Sequence, residues 1–120
     1  MSLSSNVKLV ELRRLLSIQY RLESRQISTD DVAFSKKKAD EGLPRAQYVY
    51  AYLLTHRIAT QGDNDMARKY LDLAFEKGDH DILNLLSDLY FIHGDHDKVR
   101  ACFTKAKAEL DALSNEEDAK

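Results

Sequence analysis

Apolar residues recur along the chain at three- and four-residue spacing, and Gly, Asp and Asn break the pattern at regular intervals. The spacing is helical rather than alternating, and the breaks predict six helices. The first covers roughly residues 7–25, with Ser5 or Asn6 as its cap. Its apolar stripe is Leu9, Leu12, Leu16 and Tyr20, widened by Leu15, Ile18 and Leu22. The second follows Ser28-Thr29-Asp30-Asp31, a run of good cap residues, and stops at Gly42. Pro44 opens the third, where its missing N–H costs little. That helix carries Tyr48, Tyr50 and Tyr52, reaches about Thr60 and stops before Gly62. Asp63-Asn64-Asp65 caps the fourth, which ends at Gly78, and Asp79 caps the fifth, which ends at Gly94. Asp95-His96-Asp97 caps the sixth, which runs to about Leu113, and the polar tail 114–120 is expected to fray.

Such short connections predict antiparallel helical hairpins, and the hairpins repeat. Gly62-Asp63-Asn64-Asp65 matches Gly94-Asp95-His96-Asp97 at an offset of 32 residues. At that offset Leu54 matches Leu86, Ala67 matches Val99, Leu71 matches Phe103 and Ala74 matches Ala106. A second period of 36 residues links Gly42 to Gly78, Phe34 to Tyr70 and Ala39 to Phe75. A helix–turn–helix unit of this length, repeated, is the mark of a helical solenoid. The predicted core is Leu54, Ala67, Leu71, Ala74, Leu86, Tyr90, Val99, Phe103 and Ala106, with Leu86→Ala and Phe103→Ala each expected to cost roughly 2–5 kcal/mol.

Two segments carry a family resemblance. Ala46-Gln47-Tyr48-Val49-Tyr50-Ala51-Tyr52-Leu53 resembles the first helix of a Sel-like repeat, and Ala67-Arg68-Lys69-Tyr70-Leu71-Asp72-Leu73-Ala74-Phe75-Glu76-Lys77-Gly78 resembles the second. Leu83, Leu86, Ser87 and Tyr90, then Val99, Phe103 and Ala106, follow the large-and-small pattern of tetratricopeptide repeats. Leu83 stands where those repeats carry Trp, Ser87 where they carry Gly, and no Pro closes the unit. The resemblance covers about residues 30–113. It implies an all-α fold, a short right-handed superhelix of about three antiparallel hairpins. Residues 1–27 then form a capping helix or the partner of the second helix, 28–113 the repeats and 114–120 the tail, all in one domain.

The resemblance also implies a function. These families are binding scaffolds, so the expected role is a small adaptor or chaperone-like module for a protein or peptide partner, without catalysis or cofactor. The first helix of each hairpin would line the concave surface. The candidate partner-binding residues are Tyr48, Tyr52 and His56 on the third helix and Asn84, Asp88 and Phe91 on the fifth. Tyr and Phe offer large contact area at low entropic cost. Tyr48 and Tyr52 have an alternative role, packing against the neighbouring hairpin. Two other functions stay open: a structural subunit that self-associates into a homo-oligomer through its exposed ends, and a regulator that binds nucleic acid or phosphate.

Composition narrows these options. A 120-residue chain with one Pro, four Gly and 32% charged residues is a single helical domain rather than a β fold. The net charge of −2 gives nucleic acid little support, although residues 1–60 carry +4 and residues 61–120 carry −6. Cys102 is the only cysteine, on a helical pattern that predicts a buried, inert thiol. The polar start at Met1-Ser2 and the charges that follow read as neither a leader nor a membrane span, which makes the cytoplasm, by default a bacterial one, the expected compartment.

Three clusters invite chemistry and have plainer explanations. His93-Gly94-Asp95-His96 offers metal-ligating residues, but the matching turn at Gly62 has the same cap without His, so capping accounts for the Asp residues. Lys36-Lys37-Lys38, joined by Arg45, is a candidate phosphate patch without interleaved aromatics. Arg13, Arg14, Arg21 and Arg25 form a basic stripe that suits an acidic partner, a second copy or plain solvent. No glycine-rich phosphate loop, HExxH or nucleophile elbow occurs.

Overall fold

A computed structural model describes residues 3–59 and 64–118, which form six α-helices and no strand. They are α1 (Leu3–Arg21), α2 (Thr29–Asp40), α3 (Pro44–Thr55), α4 (Asn64–Lys77), α5 (His80–Ile92) and α6 (His96–Asp118). The expected stop at Gly62 and cap at Asp63 lie outside the described residues, as do Met1, Ser2, Thr60, Gln61, Ala119 and Lys120. Four boundaries differ from expectation, one being the end of α1 at Arg21 rather than near Arg25. Helix α1 begins at Leu3, so Ser5 and Asn6 fall inside it. Helix α3 ends at Thr55, where Arg57 enters the left-handed region at φ 57 and Ile58 and Ala59 both donate to the Leu53 carbonyl, at 2.9 and 3.0 Å. Helix α6 continues through most of the polar tail to Asp118.

Local chemistry sets the other ends. Ser28 Oγ accepts from the Asp31 N–H at 3.0 Å, and Asp31 Oδ2 accepts from the Ser28 N–H at 3.1 Å, a reciprocal capping box. Asp79 Oδ1 accepts from the Ile82 N–H at 3.0 Å and Asp95 Oδ1 from the Lys98 N–H at 3.2 Å, so both aspartates are caps. Gly42 and Gly94 close α2 and α5 at φ 97 and 76, a conformation that strains any residue with a Cβ.

Consecutive helices from α2 to α6 pack side by side, and α3 also touches both α1 and α5. The odd-numbered helices thus form one row. The even-numbered helices are bridged by long side chains instead: Tyr70 donates to Asp40 at 2.6 Å, and Lys98 and Lys105 lie 4.3 and 4.6 Å from the centre of the Phe75 ring. Helix α1 approaches the backbone of α3 more closely than that of α2. Side chains reach across to α2: Lys38 Nζ to Glu11 at 2.6 Å, Arg21 to Asp31 at 2.9 Å, and Arg14 over the Phe34 ring at 4.2 Å.

Leu54, Ala67, Leu71, Ala74, Leu86, Tyr90 and Ala106 are buried, as the repeat offset required, and Val99 packs at their edge. Phe103 is not core; it is 53% exposed, and its neighbour Cys102 is fully buried. Positions three and four residues beyond Val99 both suit a helix face, and here the smaller side chain turns inward against Tyr90, which is also fully buried. The stripe on α1 is displaced in the same way. Leu15, Ile18 and Leu22 are buried, while Leu9, Leu12, Leu16 and Tyr20 face outward.

Candidate partner-binding face

The row α1–α3–α5 places the candidate residues. Along α3, Tyr48, Tyr52 and His56 are four residues apart and therefore stack on one helix face. The rings of Tyr48 and Tyr52 meet edge to face at 6.4 Å, and those of Tyr52 and His56 tilt together at 4.2 Å. Tyr48 is buried, so it supports Tyr52 from beneath; Tyr52 and His56 are half-buried with an edge in solvent. On α5, Asn84, Asp88 and Phe91 share one face and all three are exposed. Asp88 lies near enough to Tyr48 for its charge to act on the phenol. Phe91 leans on His96 of α6 at 5.6 Å, apart from the α3 rings.

The electrostatics follow from burial and the neighbours. Burial, reinforced by Tyr52, Asp88 and Glu23 and opposed by Arg45, pushes the Tyr48 phenol up to about 12. Tyr52 is raised by burial and by Glu23, with Arg25 opposing. His56 is lowered by burial and by Arg25. His93, whose Nε2 is 2.8 Å from Thr55 Oγ1, is lowered by burial, Arg68 and His56. The centre of the face is aromatic and favours uncharged side chains. Charged groups frame it: Asp88, Glu23, Arg45 (bonded to Gln19 Oε1 at 2.8 Å) and Arg25, which donates to the His56 carbonyl at 3.2 Å. Glu23 was not legible as part of this face, because it lies beyond the end of α1 and only the packing of α1 on α3 brings it there.

The other clusters resolve into structure. The lysine run does not converge: Lys38 is buried between Glu11 and Glu41, and Lys36 pairs with Asp40. In the arginine stripe, Arg14 and Arg21 both reach Asp31 and Arg25 is bonded to α3, leaving Arg13 as the outward member. Asp95 pairs with Arg68 while it caps α6. Among the described residues no three His, Cys, Asp or Glu side chains converge as metal ligands. Cys102 is buried, and that burial pushes its thiol up to about 11, which disfavours the thiolate. Among the described residues no helix is long and apolar enough to cross a membrane. No family model, curated protein or solved structure matches the chain.

Proposed function

We propose that this chain is a cytoplasmic protein-binding module of the helical-repeat kind, a short superhelix of three hairpins resembling tetratricopeptide and Sel-like repeats. Its role is that of an adaptor or chaperone-like protein rather than an enzyme, and its partner is a protein or peptide held across α3 and α5. The observation that carries this is the ladder Tyr48–Tyr52–His56, anchored by one buried ring and open at the other two. A rigid aromatic strip loses little entropy on binding, and Asn84 and Asp88 beside it supply directional polar contacts. The superhelix reading draws on the unequal packing of the two rows. Helices that touch along one side and are only bridged along the other suit a stack that curves toward the first, and this supports α1, α3 and α5 as the inner side.

The experiment is a quantitative pull-down from native lysate with the parent chain and with Tyr52→Ala/Asp88→Ala, both checked for helicity. The reading expects a partner that is enriched by the parent and loses at least tenfold with the variant. Equal enrichment by the two baits sinks it.

A further inference from the structure

The two terminal helices each run past the helices they pack on, and both overhangs expose large apolar side chains among charged ones. Near the start of α1, Glu11 meets Lys38 in the last turn of α2, so Lys8, Leu9 and Val10 project beyond that end and are exposed. Leu9, Leu12, Leu16 and Tyr20, spaced by three and four residues, carry an open stripe down the helix at 61, 43, 42 and 90% exposure. At the other end of the molecule, Glu109 meets His80, the first residue of α5, at 3.1 Å, so the part of α6 from Leu110 to Asp118 overhangs. Residues 110–115 are all exposed there, and Leu110 and Leu113 lie on one face with the exposed Phe103.

The charges of these overhangs are opposite. On α1, Arg14 and Arg21 reach Asp31 and Glu11 pairs with Lys38, so Lys8 and Arg13 are the outward basic residues, and Arg13 lies four residues beyond Leu9 on the striped face. From Glu109 to Asp118 the sequence of α6 has five acids and no Lys/Arg; Glu109 meets His80 and Asp111 pairs with Lys107, so the excess negative charge comes from residues 116–118. Two α1 stripes would bring like charges together, and so would two α6 overhangs. An α1 stripe against an α6 overhang removes apolar surface on both sides and pairs opposite charges. We infer that a second copy of this chain is the occupant: α1 of one molecule docks on the overhanging end of α6 of the next, head to tail. The contact uses surfaces separate from the Tyr52 face and does not depend on that reading. A stable interface buries about 1,200–2,000 Å², and one helix face on each side reaches only the low end. The association is therefore weak and reversible, on the order of 10–100 μM.

Sedimentation of the full chain over a concentration series tests this with two blocked variants, Leu9→Glu/Leu12→Glu on α1 and Leu110→Lys/Leu113→Lys on α6. The parent should grow beyond the 13.8 kDa monomer with concentration, and more strongly at low salt. Each blocked variant alone should stay monomeric. Their mixture should form a heterodimer and stop there, because each contributes one intact end. Arg13→Glu, a single exposed change, should weaken assembly severalfold without touching the core. A parent that stays monomeric to about 1 mM, above the affinity range expected for so small a contact, overturns the inference. So does an α6-blocked variant that still self-associates, or a mixture that fails to pair.

Discussion

Two pairs of helices, α1–α2 and α5–α6, are held together by different forces. Between α5 and α6 the contact is mainly apolar and close, with one ionisable pair, His80–Glu109, at its edge: Leu83, Leu86, Tyr90, Cys102 and Ala106 are buried, and the small residues on α6 let the helices approach. Between α1 and α2 the backbones stay apart, and Lys38–Glu11, Arg21–Asp31 and the Arg14–Phe34 contact span the gap. Apolar packing responds to cavities and hardly to pH or salt, whereas ion pairs of partly exposed groups respond to both. The same chain therefore contains one pair that is broken by removing atoms and another that is broken by removing charge.

The largest expected effect is on the apolar pair. Leu86 is fully buried, so Leu86→Ala should destabilise the fold by about 2–5 kcal/mol through lost burial and a cavity. Urea unfolding measures it, and a loss under about 1 kcal/mol would mean the α5–α6 core is not closed. Next comes Asp31, where cap and ion pairs meet. Asp31→Ala should cost about 1–2 kcal/mol from the cap and raise amide exchange in α1 and α2 selectively. Uniform exchange changes over all six helices would erase the distinction between the pairs.

The pH responses of the two pairs should run in opposite directions. Burial of Asp31 opposes its charge, but the bonds from Arg21 and Ser28 and the Arg21 charge outweigh burial and hold its carboxyl below the ordinary 3.8. Its contribution is present above 3.8 and disappears as pH falls through the lower folded value. His80 is raised from 6.5 mainly by its bond to Glu109, against a smaller burial penalty. That contribution is complete below 6.5 and disappears as pH rises through the higher folded value. Residue-resolved exchange should show α1–α2 loosening in acid and the start of α5 loosening on the alkaline side; a shared response at one pH would contradict the comparison.

The smallest effects concern positions where only the structure decides. Phe103→Ala should cost under about 1 kcal/mol, since the ring is half exposed. Ser35 is fully buried and its hydroxyl finds no partner among the described residues. Ser35→Ala should be neutral or stabilising, by up to about 1 kcal/mol, because it removes an unsatisfied polar group. A clear loss of stability would show that the hydroxyl is bonded.

Phe103 also marks how far the sequence can be read. Helix number, most caps and the core positions Leu54, Ala67, Leu71, Ala74, Leu86 and Tyr90 follow from Gly and Asp punctuation and from repeat offsets, which are local signals; the burial of Tyr48, Val49, Tyr50 and Leu53 along α3 does not. The inward faces of α1 and α6 do not. Each terminal helix has a neighbour on one side only and carries apolar residues around more than half its circumference, so periodicity allows two registers. Packing selects Leu15, Ile18 and Leu22 over Leu9, Leu12 and Leu16, and Cys102 over Phe103. In the candidate face, the i, i+4 spacing placed Tyr48, Tyr52 and His56 together. The depth of Tyr48 and the approach of Glu23 and Arg25 depend on how α1 lies on α3, which no local pattern encodes.

The inner-face reading is tested most directly by photo-crosslinking from single positions of the intact chain in native lysate. A photoreactive residue at Asn84 stands beside Asp88 on the exposed face of α5, and one at Glu76 stands exposed on α4, in the other row. The expected result is a discrete adduct from Asn84, absent from Glu76 and lost when Tyr52→Ala is added. Adducts from Glu76 alone, or an Asn84 adduct indifferent to Tyr52, would contradict the account and place the partner on the even-numbered helices or elsewhere on α5.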